Sequence, residues 1–441
     1  MYQKRVLFFL SILLFLGVGT YFLTQIAKGY RFTLQRGFQA SGLLVATSFP
    51  DGGQVWVDGI LKSATNTTVF LPPGQYNVEV KKDGYTSWQK TLNIEKEVVA
   101  KTDAWLFPIV PNLQSLTFMG ASSPLLSPDG TKIVYQVSGT TSITKTDRNG
   151  LWVIDFSDFP FDVSRGPRQI ASNFPKHDFS KAYYSWSPDS RQILVTFPAQ
   201  SLQPTPAPAN KTTKKTAVTT SLDEHFILDT SRYTTALELM EMAQTPPVTF
   251  IIKDQWQKEK QLKEDAQLAK LPEKLVDLLK ENAGNIFFSP DETKILYTAT
   301  SSASLPDKLI PAIPGSSTQP QQRSLKVNHN YIYDIKEDRN FEVSGTEECQ
   351  MGSNVNLLRA AQNENPKCFL SWFPSSRHLM RVEKDKVQIG EYENTNWLAV
   401  YSGPYIYPFV YAVPAANRLI ILTNLSNQPT SLPNLYGVGL R

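Results

Sequence analysis

The sequence predicts an all-β protein on an N-terminal transmembrane helix, with a small antiparallel β-sandwich followed by a β-propeller of five to seven blades. Three observations support this fold class. Residues 6–27 contain no charged side chain. From residue 41 onward, short alternating segments lie between Pro-Gly and Asp-Gly turns, which is the pattern of antiparallel strands. A Ser-Pro-Asp turn phrase then recurs through the rest of the chain, as expected for a repeat architecture.

The composition indicates a folded protein of two or three domains. The chain has 441 residues, of which 41% are hydrophobic and 19% charged, a globular composition. Basic residues number 44 and acidic residues 40, giving a net charge of +4 that is spread along the chain. A nucleic-acid partner is therefore not expected, because it would need a concentrated basic surface.

Residues 1–27 are predicted to be a short cytoplasmic tail and a transmembrane anchor. A helix of about 22 uncharged residues is about 33 Å long, enough to cross a hydrocarbon core of about 30 Å. A cleaved signal peptide is the alternative, because Lys4 and Arg5 form a basic start, but no small-residue cleavage site follows the apolar stretch. Lys28, Arg31 and Arg36 lie on the other side, so flanking charge does not select an orientation.

After a polar stalk at residues 28–40, residues 41–108 are predicted to form the small β domain. Alternating strands are separated by turns at Pro50-Asp51-Gly52-Gly53, by a Leu-Pro-Pro-Gly-x-Tyr element at 71–76 and by a Gly-Tyr-x-x-Trp element at 84–88. These elements resemble the PEGA domain family, with Asp51 in place of Glu and Gly53 in place of Ala. The resemblance implies a surface module of bacterial envelope proteins. Folding alone accounts for the signature residues, since the glycines suit turns and the aromatic side chains suit a core.

The remaining residues, 112–441, contain the turn phrase in three clear copies and two degraded ones. Proline fixes φ and aspartate caps the turn. Strand-turn-strand units that cannot bury both faces alone must pack against neighbours, and the last spacing of about 40 residues fits a propeller blade. The segment resembles the TolB-like propeller repeats. The phrase residues of the clear copies are Pro128, Asp129, Gly130, Pro188, Asp189, Pro290 and Asp291, and the degraded copies lie at 372–381 and 413–422.

Three further segments of this region carry predictions. Residues 198–220 are rich in Pro, Thr and Lys and are predicted to be a disordered loop. Residues 254–282 are predicted to be a charged helical insertion broken near Pro272, lying on the propeller rather than serving as a partner-binding arm. Residues 113–118 are predicted to supply the outer strand of the last blade and so close the ring.

The spacing of reactive residues predicts no catalytic, cofactor-binding or metal site. The four histidines, at 177, 225, 329 and 378, lack metal-ligand spacing, and no nucleophile elbow or phosphate loop occurs. Asp129, Asp189 and Asp291 recur once per unit, which favours a role in folding. Cys349 and Cys368 leave two outcomes open: a disulfide, which would suit an exported protein, or two buried free thiols.

The function predicted is that of a non-enzymatic binding or scaffold protein of the cell envelope. It would be a single-pass cell-membrane protein with the bulk of the chain extracytoplasmic, presenting the propeller to a protein or cell-wall glycan partner. A sensor or accessory subunit of a membrane complex is the alternative. A third hypothesis is that the chain is an enzyme that uses the propeller's central pocket, because a fold does not determine a function.

Overall fold

The computed structural model describes residues 2–27, 30–33, 37–39, 41–139, 148–157, 166–174, 176–198, 223–243, 246–311, 313–352, 366–414, 417–426 and 431–441. The protein is mostly β, with an apolar N-terminal helix α1 (Tyr2–Ala27). Within α1, Val6–Ile26 has a mean hydropathy of 2.4 and is not buried against the rest of the described chain. Its length and composition suit a membrane span, and a signal sequence would share both features.

The predicted stalk contains a short antiparallel hairpin of β1 (Arg31–Thr33) and β2 (Gly37–Gln39). Tyr30, just before it, donates its backbone N–H to the carbonyl of Gln25 near the end of α1 at 3.0 Å. The Lys96 ammonium lies 5.1 Å from the centre of the Tyr30 ring. The small domain is therefore in contact with the chain that immediately follows α1.

The small domain consists of two main sheets that share one apolar core. One sheet has the strand order β6-β5-β8-β9 and the other β10-β3-β7, with a short parallel pair of β4 and β11 beside them. Leu44 and Leu71 from one sheet meet Val55, Val78 and Trp88 from the other in the core. The strands are β3 (Gly42–Ala46), β4 (Ser48–Phe49), β5 (Gln54–Val57), β6 (Ile60–Ala64), β7 (Thr67–Leu71), β8 (Gly74–Lys81), β9 (Trp88–Ile94), β10 (Val99–Lys101) and β11 (Ala104–Trp105).

The rest of the described chain contains five larger sheets, named here repeat sheets I to V. Sheet I is β13-β14-β15-β16, sheet II β17-β18-β19, sheet III β20-β21-β24-β25, sheet IV β26-β27-β28-β29-β30, and sheet V β31-β32-β33-β12. The strands of sheets I and II, with the first strand of the region, are β12 (Leu113–Ser115), β13 (Ser122–Leu126), β14 (Lys132–Val137), β15 (Gly150–Asp155), β16 (Arg168–Ser172), β17 (Tyr183–Trp186), β18 (Gln192–Phe197) and β19 (Glu224–Asp229).

Sheets III to V follow the same scheme. Two short strands between β21 and β24, named β22 and β23, form a separate two-stranded sheet. The strands are β20 (Ala283–Phe288), β21 (Lys294–Ala299), β22 (Ala303–Ser304), β23 (Ser324–Leu325), β24 (Asn330–Asp334), β25 (Arg339–Glu342), β26 (Cys349–Met351), β27 (Cys368–Trp372), β28 (His378–Glu383), β29 (Val387–Glu391), β30 (Leu398–Tyr401), β31 (Val410–Ala412), β32 (Arg418–Thr423) and β33 (Asn434–Gly439).

The first strand of the repeat region pairs with the last. In β12, Leu113 lies opposite Val438 and Ser115 opposite Tyr436, and the Leu116 N–H extends the pairing by donating to the Leu435 carbonyl at 2.9 Å. The prediction that the segment starting at residue 113 completes the last unit is therefore confirmed, although the strand itself ends at Ser115.

Aromatic side chains join neighbouring repeat sheets. The Trp186 indole N–H of sheet II donates to the Leu125 carbonyl of sheet I at 3.2 Å, and the Trp372 indole N–H of sheet IV donates to the Phe287 carbonyl of sheet III at 3.0 Å. One apolar core then runs through sheets I, IV and V. Each sheet thus buries its faces against its neighbours rather than alone.

Three helices lie between sheets II and III: α2 (Ala236–Ala243), α3 (Pro246–Leu268) and α4 (Glu273–Asn282). The helical segment begins earlier than the predicted residue 254, and its break lies between Leu268 and Glu273, next to Pro272. Leu239 of α2 packs into the core shared by sheets I and II, and Leu275 and Leu279 of α4 pack on sheet III. The loop predicted at 198–220 lies outside the described residues, apart from Pro198.

Candidate functional site: the junction between the small domain and the repeat sheets

The most heavily charged buried cluster of the described chain joins the small domain to repeat sheet IV. Lys90 of β9 places its Nζ 2.7 Å from Glu391 Oε2 at the end of β29, and it also forms an ion pair with Glu393. The indole N–H of Trp88 donates to Glu391 Oε1. The side chains of Lys90, Glu391 and Glu393 are only 9%, 8% and 5% exposed. We call Trp88, Lys90, Glu391 and Glu393 the junction cluster.

The charges of the junction cluster stabilise one another against burial. Burial alone would lower the pKa of Lys90, but the carboxylates of Glu391 and Glu393 raise it above its ordinary value. Burial alone would raise the pKa of Glu391, but Lys90, His378 and the Trp88 hydrogen bond lower it to about 2. Both groups therefore remain charged near neutral pH, which suits a fixed ion pair and does not suit proton transfer.

Hydrogen bonds around the cluster fix the relative position of the two regions. The Gln89 N–H donates to Asn396 Oδ1 at 3.1 Å, and the Gln319 side-chain amide donates to the Thr91 carbonyl at 2.8 Å. These contacts bring sheet IV and the connection between β22 and β23 against the edge strand β9.

Arg377 and Asp103 form a second ion pair across the junction, at 2.8 Å. Asp103 also accepts a hydrogen bond from the Thr47 hydroxyl at 2.8 Å, which ties it to the turn after β3. The junction therefore has polar contacts on both sides of the junction cluster.

An aromatic group closes the other side of the junction. Trp105 and Phe107 of the small domain lie 5.3 Å and 6.3 Å, between ring centres, from the fully buried His378 of β28. Burial lowers the pKa of His378 to about 4, so the ring is neutral at ordinary pH. His378 is held by a 2.8 Å hydrogen bond between its Nδ1 and the Ser375 hydroxyl. It belongs to the packing of the interface.

The aspartates of the turn phrase form side-chain hydrogen bonds within their own turns. Asp129, Asp189 and Asp291 each accept a hydrogen bond from the serine two positions earlier, at 2.6, 2.6 and 2.7 Å. Each also accepts the backbone N–H two positions later, at 2.9 to 3.1 Å. These contacts favour the folding role that their recurrence predicts.

The signature turn of the small domain is also satisfied internally. Gly52 has a φ of +79°, which favours glycine. The Gly53 N–H donates to the Thr65 hydroxyl at 2.9 Å, and a Cβ at Gly53 would lie 2.8 Å from Val80 Cγ1. Alanine at position 53 would therefore require Val80 to move. The backbone carbonyl of Pro50 accepts a hydrogen bond from the Ser48 hydroxyl, and that of Asp51 accepts one from the Lys82 ammonium group.

Cys349 and Cys368 are joined by a disulfide across the parallel strands β26 and β27. The structure thus adopts the first of the two outcomes left open by the sequence. The bond ties the first residue of β26 to the first residue of β27; residues 353–365, between these strands in the chain, lie outside the described residues.

Sequence reasoning missed the junction cluster. One signal was available: in β9, Lys90 occupies an inward position between the buried Trp88 and Leu92, where an unpaired lysine would be costly. Its acidic partners lie about 300 residues away, at and just after the end of β29 in sheet IV. The fold also brings together His329, Glu342 and Glu347 as three candidate metal ligands, which their spacing in the sequence did not reveal.

The comparison with known protein families identifies the small domain. Residues 41–108 match the PEGA domain family, so this part of the chain is a PEGA domain. A search among curated proteins finds no match.

Solved structures similar to the chain include two TolB proteins. A putative TolB from Agrobacterium tumefaciens is 9% identical with a TM-score of 0.21, covering 74% of this chain and 89% of its own. TolB from Acinetobacter baumannii is 12% identical with a TM-score of 0.22, covering 83% and 60%. An acylaminoacyl peptidase from Pyrococcus horikoshii is 10% identical with a TM-score of 0.22, and the match spans 90% of this chain but 51% of the peptidase. Scores this low carry no argument about function.

Proposed function

We propose that this chain is a membrane-anchored, extracytoplasmic scaffold protein of the cell envelope. In this proposal the PEGA domain is a β-sandwich that holds a five-bladed, TolB-like propeller in one fixed orientation beside the membrane. The observation that carries the proposal is the junction cluster, in which two carboxylates and a lysine are buried together between the two regions. Breaking such a cluster is costly, so the two regions act as one unit.

The arrangement of the sheets supports the propeller interpretation. In each of the five repeat sheets, a copy of the turn phrase or its degraded form connects two consecutive antiparallel strands. The first strand of the region, β12, pairs with β33 in sheet V. We interpret each sheet as one blade. The helices α2 to α4 stand between the second and third blades.

The disulfide supports an extracytoplasmic location, because such bonds persist in oxidising compartments. The apolar α1 supports the anchor. Fractionation of cells that express the full chain tests both. We expect the protein to stay in membranes after carbonate washing, and to be degraded by protease added outside cells from which the outer barrier is removed. A soluble, shortened product would disprove the anchor, and full protease protection would disprove the extracytoplasmic side.

The ligand proposed is a protein or a cell-wall glycan, and the proposed role is not enzymatic. Purification of the detergent-solubilised chain, with and without added cell-wall polysaccharide, separates these partners. A variant in which Glu391 is replaced by leucine should lose partners that need both regions in fixed orientation, while the control Glu79→Gln, at a partly exposed ion pair outside the junction, should keep them. Recovery of a stoichiometric membrane complex would identify the chain as an accessory subunit instead. Partners unaffected by Glu391→Leu would contradict the rigid-scaffold proposal.

A further inference from the structure

A cluster of three nitrogen and oxygen donors lies at one end of the β24–β25 hairpin of sheet III, on residues that the junction cluster does not include. His329 Nδ1 is 2.8 Å from Glu342 Oε1 and 3.7 Å from Glu347 Oε1. All three donor atoms lie within 4.8 Å of one another. The three side chains are partly exposed, so a small ion in solution can reach them.

The backbone holds the three residues in place from two directions. His329 immediately precedes β24 and Glu342 ends β25, and the strand register places Tyr331 opposite Glu342. His329 and Glu342 therefore extend from adjacent strand ends of one hairpin. Their separation is set by the ladder and does not depend on a flexible loop.

Glu347 is positioned by a tight turn. Gly345 has a φ of +74°, and its N–H donates to Glu347 Oε1 at 3.1 Å. The next residue, Thr346, is fully buried, and its carbonyl accepts from the Asn330 amide at 2.7 Å. The disulfide at Cys349 fixes the chain two residues after Glu347. Contacts on both sides of Glu347 in the chain thus position the third donor.

The separations of the two carboxylate oxygens from His329 Nδ1 are close to those between the ligands of a tetrahedral zinc ion. Zinc lies about 2.0–2.2 Å from nitrogen and carboxylate oxygen ligands, which separates two ligands of a tetrahedron by about 3.3–3.5 Å. The observed 2.8 and 3.7 Å lie on either side of this value. We propose that His329, Glu342 and Glu347 form a zinc-binding site, in which a water molecule or a partner's carboxylate takes the fourth position. An imidazole donor favours zinc over calcium or magnesium, which prefer oxygen ligands.

Charge also favours a cation here. Two carboxylates converge on one imidazole. Two basic groups lie nearby: Lys326, with its Nζ 3.2 Å from Glu342 Oε2, and Arg381, whose guanidinium donates to the Gly345 carbonyl at 3.1 Å. The Lys326 side chain is 55% exposed, so it can turn into solvent when the ion binds. Lys326 therefore competes with zinc for Glu342, and its removal strengthens binding.

The test measures zinc binding by the untagged full chain in detergent after treatment with a chelator. Isothermal titration with zinc chloride should show one site. His329→Ala and Glu347→Gln should each weaken binding at least about tenfold, and Lys326→Met should strengthen it. Calcium chloride should show no binding at the same concentrations.

His177 and Glu224 provide a matched control. They form another histidine–carboxylate contact at 2.5 Å, but within the described chain no third donor joins them in a candidate metal group. Glu224→Gln should therefore leave zinc binding unchanged. Glu347 lies on an exposed turn, so Glu347→Gln should fold like the parent. In the presence of chelator, the two proteins should have the same circular dichroism spectrum and the same melting temperature. The proposal is overturned if the parent binds no zinc, or if Glu347→Gln binds zinc as the parent does.

Discussion

The repeat turns and the junction cluster stabilise the protein in opposite ways. In the turns, the serine before the proline and the aspartate after it bond to residues two to five positions away: the Ser127 hydroxyl donates to Asp129 and accepts the Lys132 N–H at 2.9 Å. In the junction cluster, Lys90 finds its partners about 300 residues away. The turns are local and repeated, whereas the junction cluster is long-range and occurs once.

The degraded copy in sheet IV shows how much of a turn can change. Phe373 replaces the first serine of the phrase and Ser375 replaces the aspartate, yet the Arg377 N–H still donates to the Ser375 hydroxyl at 3.3 Å. The hydroxyl of Ser376 accepts the Asp291 N–H of sheet III at 3.0 Å, as the Ser190 hydroxyl of sheet II accepts the Asp129 N–H of sheet I. A turn tolerates substitution because any nearby oxygen can serve as the acceptor.

The junction cluster has no such tolerance. A buried ammonium group needs an anionic partner in one particular place, and no neighbour along the chain can replace it. The comparison therefore predicts that a single substitution in the junction cluster costs more than one in a turn.

The largest effect is expected for Glu391→Leu. The substitution leaves Lys90 with Glu393 alone and removes the acceptor of the Trp88 indole N–H, so we expect a loss of about 3–5 kcal/mol in the stability of the interface. Hydrogen exchange of the full chain in detergent measures this loss, which should appear as faster exchange of the backbone amides in β9 and β29.

Two companion variants separate charge from packing. Replacing Lys90 by methionine together with leucine at 391 and 393 exchanges the whole ion cluster for apolar side chains and should recover most of the loss. Glu79→Gln breaks the more exposed pair with Lys81 and should change stability by less than about 1 kcal/mol. Equal effects of Glu391→Leu and Glu79→Gln would remove the distinction between junction and surface.

An intermediate effect is expected from the titration of His378. The unfolded histidine binds a proton near its ordinary pKa of 6.5, whereas burial lowers the folded pKa to about 4. Between these values the unfolded state binds more protons, so acidification from pH 6.5 to pH 4 should cost up to about 3 kcal/mol. Glu391 has a folded pKa of about 2, so its protonation causes a further loss of stability as the pH falls from about 4.5 towards 2.

Denaturant unfolding followed at several pH values checks this dependence. In His378→Gln, the free energy of unfolding should change little between pH 6.5 and pH 4. The further loss of stability below pH 4.5, which comes from Glu391, should remain. His225, whose pKa is also lowered by burial, is more exposed than His378, and His225→Gln should change the curve less. A parent curve that is flat from pH 6.5 to pH 4 would contradict the assigned burial of a neutral His378.

The difference between local and long-range contacts also decides what the sequence could predict. The PEGA turns and the Ser-Pro-Asp phrases were recognisable because Gly52 or Asp129 satisfies a requirement set by its immediate neighbours. The pairing of β12 with β33 was predictable because sheet V otherwise lacks an outer strand. Helix α2 was missed although its start carries a capping box, in which the Thr235 N–H donates to Glu238 Oε2 and the Glu238 N–H donates to the Thr235 hydroxyl. Its eight residues are too few to show a clear apolar period.

The junction cluster and the group of His329, Glu342 and Glu347 were not predictable in the same way. No periodic pattern relates Lys90 to Glu391, and Glu347 approaches His329 only because a turn and a disulfide fold it back. A sequence shows that an inward lysine needs a partner, but the partner's identity depends on how two domains dock.

The smallest effect is expected in the turns, and it also tests whether their carboxylates have a role beyond folding. Asp291→Ala removes the acceptor for the Ser289 hydroxyl and the Thr293 N–H, and should cost about 1–2 kcal/mol, as for the loss of a helix cap. Asp291→Asn keeps an oxygen acceptor and should cost less. Hydrogen exchange in β20 and β21 measures the stability of sheet III. We expect this stability to be highest in the parent, lower in Asp291→Asn and lowest in Asp291→Ala. If asparagine keeps the stability of the parent but abolishes partner binding, the carboxylate contacts a ligand and the purely structural interpretation of the repeated aspartates is wrong.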